Sequence, residues 1–224
     1  MDANARIQTA PPPAALVRAA WPLAMGALAL SAADFFVRLT FRGRALHAEA
    51  PWSWFVATAE WTVPTFFSVA VTFATGVGCL RPRAERDLAW CAMGVLFCYL
   101  AVDDLCMLHE AFGEWLHPWL GGIGAYVWVC TLGPVFALCG AWCAWRLLRA
   151  LAGQRVRRAC LFLGFAGLAA ALGFEVFEDA AAGSGARLRG IPLVSYTQWV
   201  EEALELLAPV LLFAAAWTRP PVRT

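Results

Sequence analysis

Apolar residues run through the chain in long stretches, and the polar residues gather at the junctions between them. The clearest stretch covers residues 88–102, fifteen positions without a charge. It ends in "VDDLCMLHE" (102–110), which puts two Asp, a His and a Glu directly after it. Neither the alternation of a half-buried strand nor the single apolar stripe of a surface helix describes such a run. Its length does: about 20 apolar residues in helical form cross a hydrocarbon core of about 30 Å. The pattern predicts transmembrane helices at 16–37, 55–80, 88–110, 124–146, 159–180 and 198–217. The expected fold class is therefore all-α, a polytopic bundle of six spans forming a single domain over 16–217. Residues 1–15, with "TAPPPAA", are expected to be a disordered lead, and 218–224 a cytoplasmic tail. "ALALSAA" offers a small-residue cleavage pattern like the end of a signal peptide. The apolar run resumes as "FFVRLTF", however, which favours a retained first helix.

Composition strengthens the membrane reading. The chain is 61% hydrophobic and 15% charged, where a soluble domain carries about 25% charged residues. All seventeen basic residues are Arg. The absence of Lys excludes retinal, pyridoxal or aldolase chemistry that needs a lysine amine. The eight Cys (79, 91, 98, 106, 130, 139, 143 and 160) lie mostly within apolar stretches and form no Cys-x-x-Cys pair. They are expected to be small packing residues.

Charge also orders the ends of the spans. With the N-terminus inside, twelve Arg fall on the inner side and five on the outer. That bias predicts N-in/C-in topology in a bacterial inner membrane. The acids separate the other way: Asp2, Glu85 and Asp87 are inner and thirteen are outer, facing the periplasm. His47, His109 and His117 are outer as well. Acids contribute little to the topology rule, so this polarity needs a cause of its own.

Asp34 closes the first span and Glu60 opens the second; Asp103, Asp104, His109 and Glu110 close the third. Glu175, Glu178 and Asp179 close the fifth, and Glu201, Glu202 and Glu205 open the sixth. At about 100° per residue, each of the last two trios occupies an arc of about 100°, and Asp103 and Glu110 share a face. Acids at a helix N-terminus are favoured by the macrodipole, which is a sufficient structural explanation for Glu60, Glu201 and Glu202. At the C-termini of spans 1, 3 and 5 the same dipole disfavours them. Intramembrane carboxylates usually face a bundle interior with a partner.

The outer Arg residues are too few and, as loop residues, too distant to offset thirteen acids. A divalent cation satisfies several carboxylates at once. Expected ligands are Asp103, His109, Glu175, Glu178, Asp179, Glu201, Glu205, Asp34 and Glu60, with Glu110, Asp104 and Glu202 left for general acid–base work. Zn, Fe or Mn would serve. His117 is expected in an outer loop, and His47 in an interfacial stretch anchored by Trp52 and Trp54. The Gly-rich segment 181–196 is expected to be a loop, acting as a docking segment or a lid.

The inner halves of the spans carry no ionisable side chain except Cys and the terminal Arg, so a continuous ion path has little support. Pro64, Pro134 and Pro209 could open backbone carbonyls, which keeps a cation or proton transporter as one alternative. A non-catalytic cation or pH sensor, or a membrane subunit whose acid cluster binds a partner, is another. A one-sided site fits a metal-dependent membrane enzyme, hydrolase or oxidoreductase, acting on a lipid or other amphiphile. Membrane lipids are the expected surroundings, and no nucleic-acid partner is expected.

"DDLCMLHE" followed by "EEALELL" at the last span resembles a pattern in small bacterial multi-span proteins of uncharacterised function. The resemblance implies a similar helical fold and carries no activity. The ceramidase and progestin-receptor superfamily shares the idea of a one-sided metal site. This chain departs from it in lacking the multiple His ligands.

Overall fold

A computed structural model of the chain describes residues 13–41, 51–58, 61–81, 87–120 and 131–217. Among these residues the chain forms seven helices. They are α1 (Pro13–Thr40), α2 (Val63–Leu80), α3 (Leu88–Cys106), α4 (Leu108–Leu120), α5 (Gly133–Ala150), α6 (Arg155–Ser184) and α7 (Leu193–Trp217). A 3₁₀ turn, Trp52–Phe55, precedes α2, and a small hairpin of β1 (Arg187–Leu188) and β2 (Ile191–Pro192) joins α6 to α7. The helical class is as the pattern predicts. Four stretches are long and apolar enough to cross a membrane: Ala20–Thr40, Val63–Leu80, Leu88–Cys106 and Arg155–Phe174. Membrane association follows from their length and composition.

Local chemistry sets the helix boundaries, and several differ from expectation. The second span was expected from 55, but Val56 is extended and α2 starts only at Val63, with Pro64 in its first turn. Proline there costs no hydrogen bond, because the first N–H groups of a helix have no intrahelical partner. Glu60 lies outside the described residues. Asp87 caps α3 by accepting a 2.9 Å bond from the Ala89 N–H. The expected loop at 181–196 is short in fact. Helix α6 runs to Ser184, and the two-residue turn Arg189–Gly190 has φ of 52° and 82°. Positive φ at both centres is what a tight hairpin of this twist requires. That turn lets α7 begin at Leu193, five residues before the expected 198.

Helix α7 is the hub of the bundle, packing on α6, α2 and α1, while α2 packs on α3 and α5 bridges α3 and α6. Lipid tails are as apolar as Leu, so close backbone approach has to supply much of the association. Small residues provide it. A Cβ built on Gly76 of α2 would lie 2.6 Å from Cys98 Sγ and 2.9 Å from the Gly94 carbonyl of α3. Gly164 of α6 is pressed in the same way against Leu212 of α7. The largest buried cluster contains Cys79, Trp90, Met93, Phe97, Cys143, Leu147, Leu161 and Leu212. These residues come from the C-terminal parts of α2, α5 and α7 and the N-terminal parts of α3 and α6, so the dry core occupies one end of the bundle. Cys79 and Cys143 serve there as packing residues, as expected. The same end is tied by Arg157, which is 3% exposed and donates to the Ala215 carbonyl through Nε at 3.1 Å and Nη2 at 2.6 Å. A guanidinium at the last turn of α7 answers the negative end of its dipole.

Gly76→Ala should destabilise the protein by about 1–3 kcal/mol, since the added methyl meets backbone as well as sulfur. Gly140→Ala, whose Cβ would find nothing nearer than Phe165 at 3.8 Å, is the matched control. Thermal unfolding in detergent measures both. Equal midpoints for the two variants would disprove the close α2–α3 contact.

Candidate functional site

The opposite end of the bundle begins where α3 stops. Met107 adopts a left-handed conformation, φ 54° and ψ 39°, and its N–H closes the helix on the Asp103 carbonyl. Only Gly visits that region without cost, so the break is an imposed one. It corrects the expectation of one helix over 88–110: Glu110 belongs to α4, and its supposed shared face with Asp103 is lost. The Glu110 side chain lies outside the described residues. His117, expected in a loop, also falls within α4, with its side chain outside the described residues.

The break turns His109 back on α3, where its Nδ1 shares a 2.9 Å hydrogen bond with Asp103 Oδ2. Asp103 is 4% exposed, and among the described residues its Oδ1 has no hydrogen-bond partner. When the carboxylate is ionised and the imidazole neutral, Nδ1 donates and Nε2 carries the lone pair, the arrangement that orients an imidazole as base or ligand.

His109 faces a cavity of about 100 Å³. Its other walls are Ala57, Thr58, Pro64, Thr65, Ser68, Asp104, Glu202, Glu205 and Leu206. Three carboxylates and an imidazole from α3, α4 and α7 thus meet three hydroxyls from α2 and the segment before it. The volume holds an ion and several waters. Asp104, His109, Glu202 and Glu205 are brought together, with Asp103 behind the imidazole. Glu201 is half-buried on α7 but does not line the cavity. Glu175, Glu178 and Asp179 lie on α6, with side chains outside the described residues. Helix α7 has no acid in its first turn. Glu201 and Glu202 stand more than two turns into it, so the macrodipole does not explain them.

Asp34, expected as a ligand, is engaged elsewhere. Its Oδ2 accepts from Arg38 Nε at 2.8 Å and its Oδ1 from the Ala57 N–H at 3.2 Å. Arg38 was expected in an outer loop; it lies in α1 and is 4% exposed. Its Nη1 donates to Gln198 Oε1 at 3.2 Å and to the Ser195 carbonyl at 3.5 Å, and its Nη2 to Thr58 Oγ1 at 3.2 Å. One guanidinium therefore joins α1, the chain before α2, and α7. Glu202 lies within electrostatic reach of Glu205, Arg38, Asp34 and Asp104. The signal for Arg38 was present in the sequence: an Asp and an Arg four residues apart inside an apolar run form a pair on one helix face.

Fold and cavity together define an all-helical protein with four helices long and apolar enough to cross a membrane and a carboxylate–imidazole cavity at one end. The chain belongs to the family described as Domain of unknown function (DUF8692), which it matches over residues 15–219. No curated protein and no solved structure matches it.

Arg38→Met should cost about 3–5 kcal/mol, because it strands the buried Asp34 carboxylate. The double variant Asp34→Leu/Arg38→Met should unfold well above the single one. A double-mutant cycle on thermal unfolding decides; a single variant as stable as the wild type would remove the pair from its structural role.

Proposed function

We propose that the chain is a polytopic protein of the bacterial cytoplasmic membrane, with six spans and both termini in the cytoplasm. The cavity would then face the periplasm. The Arg bias supports this orientation. Helices α5 and α7, of 18 and 25 residues, reach about 27 and 37 Å, enough for the two further spans. In this reading the cavity binds a divalent cation, and the chain is a membrane-embedded enzyme acting on a lipid or other amphiphile.

One observation carries this reading: Asp104, Glu202 and Glu205 line one cavity with His109, while the nearest buried guanidinium is already paired with Asp34. Crowded carboxylates call for a positive charge or for protons, and a dication answers two of them. Among the described residues, no three His, Cys, Asp or Glu side chains converge closely enough to hold a metal ion by themselves. A cation here would keep several waters. That favours an oxygen-preferring ion such as Mn²⁺ over Zn²⁺, which prefers a tighter tetrahedral set with nitrogen or sulfur ligands. When bound, the cation would supply activation of water or polarisation of a substrate oxygen. Asp103 holds the His109 imidazole in one tautomer, and Asp104 and Glu202 stand in the cavity as proton acceptors. The dry core at the other end, with Trp90, Phe97 and Leu212 fully buried, favours a site entered from one side over a continuous transport path.

Metal-stripped protein in detergent should take up about one equivalent of Mn²⁺, with a raised thermal midpoint. Asp104→Asn/Glu205→Gln should weaken binding about tenfold or more, roughly 1.4 kcal/mol, at unchanged helical circular dichroism. Wild-type protein that binds no divalent cation would refute the cation reading.

A further inference from the structure

Helix α4 falls outside the pattern of spans, and among the described residues the cavity takes from it only its second, His109. At about 100° per residue, Leu108, Phe112, Trp115 and Trp119 fall within an arc of about 60°. Three of the four are open: Leu108 is 41% exposed, Trp115 65% and Trp119 79%. Glu114, exposed as well, falls on the other face. A narrow apolar stripe ending in two indoles, opposite a charged face, is the pattern of a helix lying in a membrane interface.

Three features identify the lipid surface as what covers this stripe. Helix α4 follows directly on the polar end of α3, a helix long and apolar enough to cross the membrane. A straight continuation would carry its 13 residues about 20 Å beyond that end and put both indoles in water. The left-handed Met107 diverts it. Third, Trp52, Trp54 and Trp61, in the chain leading into α2 at the same end, are 46%, 59% and 63% exposed. Trp collects at the level of the headgroups, so exposed indoles from two separate segments mark this end of the bundle as an interface.

We propose that α4 is an interfacial helix seated in the lipid surface at the cavity's end of the bundle, and that this seat is the mount for His109. The hydrogen bond from His109 to Asp103 spans the joint at Met107, so the angle between α3 and α4 sets where the imidazole stands. The proposal rests on the membrane reading and is independent of any bound cation.

The test uses the full-length chain in lipid nanodiscs, with the photocrosslinker p-benzoylphenylalanine introduced singly at 95, 114, 115 or 119. Val95, 62% exposed midway along α3, is the reference for contact with acyl chains. Lipid adducts at 115 and 119 comparable to those at 95, with few at 114, support the interfacial seat. Adducts at 95 but none at 115 and 119 would overturn it and leave the membrane reading standing. No adducts at any position would bring down both. Crosslinks from 115 or 119 to a second copy of the chain would assign the stripe to self-association and overturn the proposal. For the mount, Trp115→Asp/Trp119→Asp should raise carbethoxylation of His109 several-fold, read by site-resolved mass spectrometry at retained helicity. Unchanged reactivity would refute the coupling of α4 to His109.

Discussion

The polar end of this bundle depends on one buried guanidinium. An unpaired arginine at 4% exposure would be prohibitively costly, so every group that solvates Arg38 is held where it must be. Asp34 supplies the charge, Thr58 fixes the chain that leads into α2, and Ser195 with Gln198 fixes the opening turns of α7. Indole contacts reinforce the same junction: Trp199 Nε1 donates to the Ser31 carbonyl at 3.0 Å, and its ring lies 4.5 Å from that of Phe35. Glu202 stands one turn beyond Gln198 on α7. Its position over the cavity is thus a downstream result of how α1 solvates a single cation. Buried ionic groups of this kind specify an arrangement at least as much as they stabilise it.

The two ends of the bundle use different physics. At one end glycines bring backbones together around Trp90, Met93 and Phe97, and dispersion between close-packed atoms supplies the cohesion. At the other, directional polar contacts set the spacing of α1, α2 and α7 and leave room for the cavity. A core packed at both ends would leave no cavity for Asp104, His109 and Glu205 to line. Polar contacts at both ends would leave little dry surface to hold the helices together.

Much of this was legible from the apolar runs and their endings. Long uncharged stretches specify helices by length alone, and the crowding of acids at one set of ends singled out twelve residues, of which Asp104, His109, Glu202 and Glu205 line one cavity. What stayed hidden has local causes. The break at Met107 carries no Gly or Asn, the usual signs of a left-handed residue, so "LCMLHEAF" reads as continuous helix. Helix α4 was concealed by the same continuity. The hairpin turn at Arg189–Gly190 was hidden within a Gly-rich segment, and with it the early start of α7. Arg38 was misjudged because counting it as a loop cation ignored Asp34 one turn before it. Each miss concerned a boundary or a partner, where tertiary contacts decide among conformations that sequence alone leaves nearly equal.

The contact between Gly76 and Gly94 has a mechanical consequence. It pins α2 to α3 at the dry end, while Asp104, ten residues beyond Gly94, stands about 15 Å further along the axis. The two helices therefore form a lever with its fulcrum in the core. A tilt of about 4° at the glycines displaces Asp104 by about 1 Å relative to Ser68, over the 15 Å arm set by helical rise. The fit of the glycines in the core therefore bears on the width of the cavity about 15 Å away.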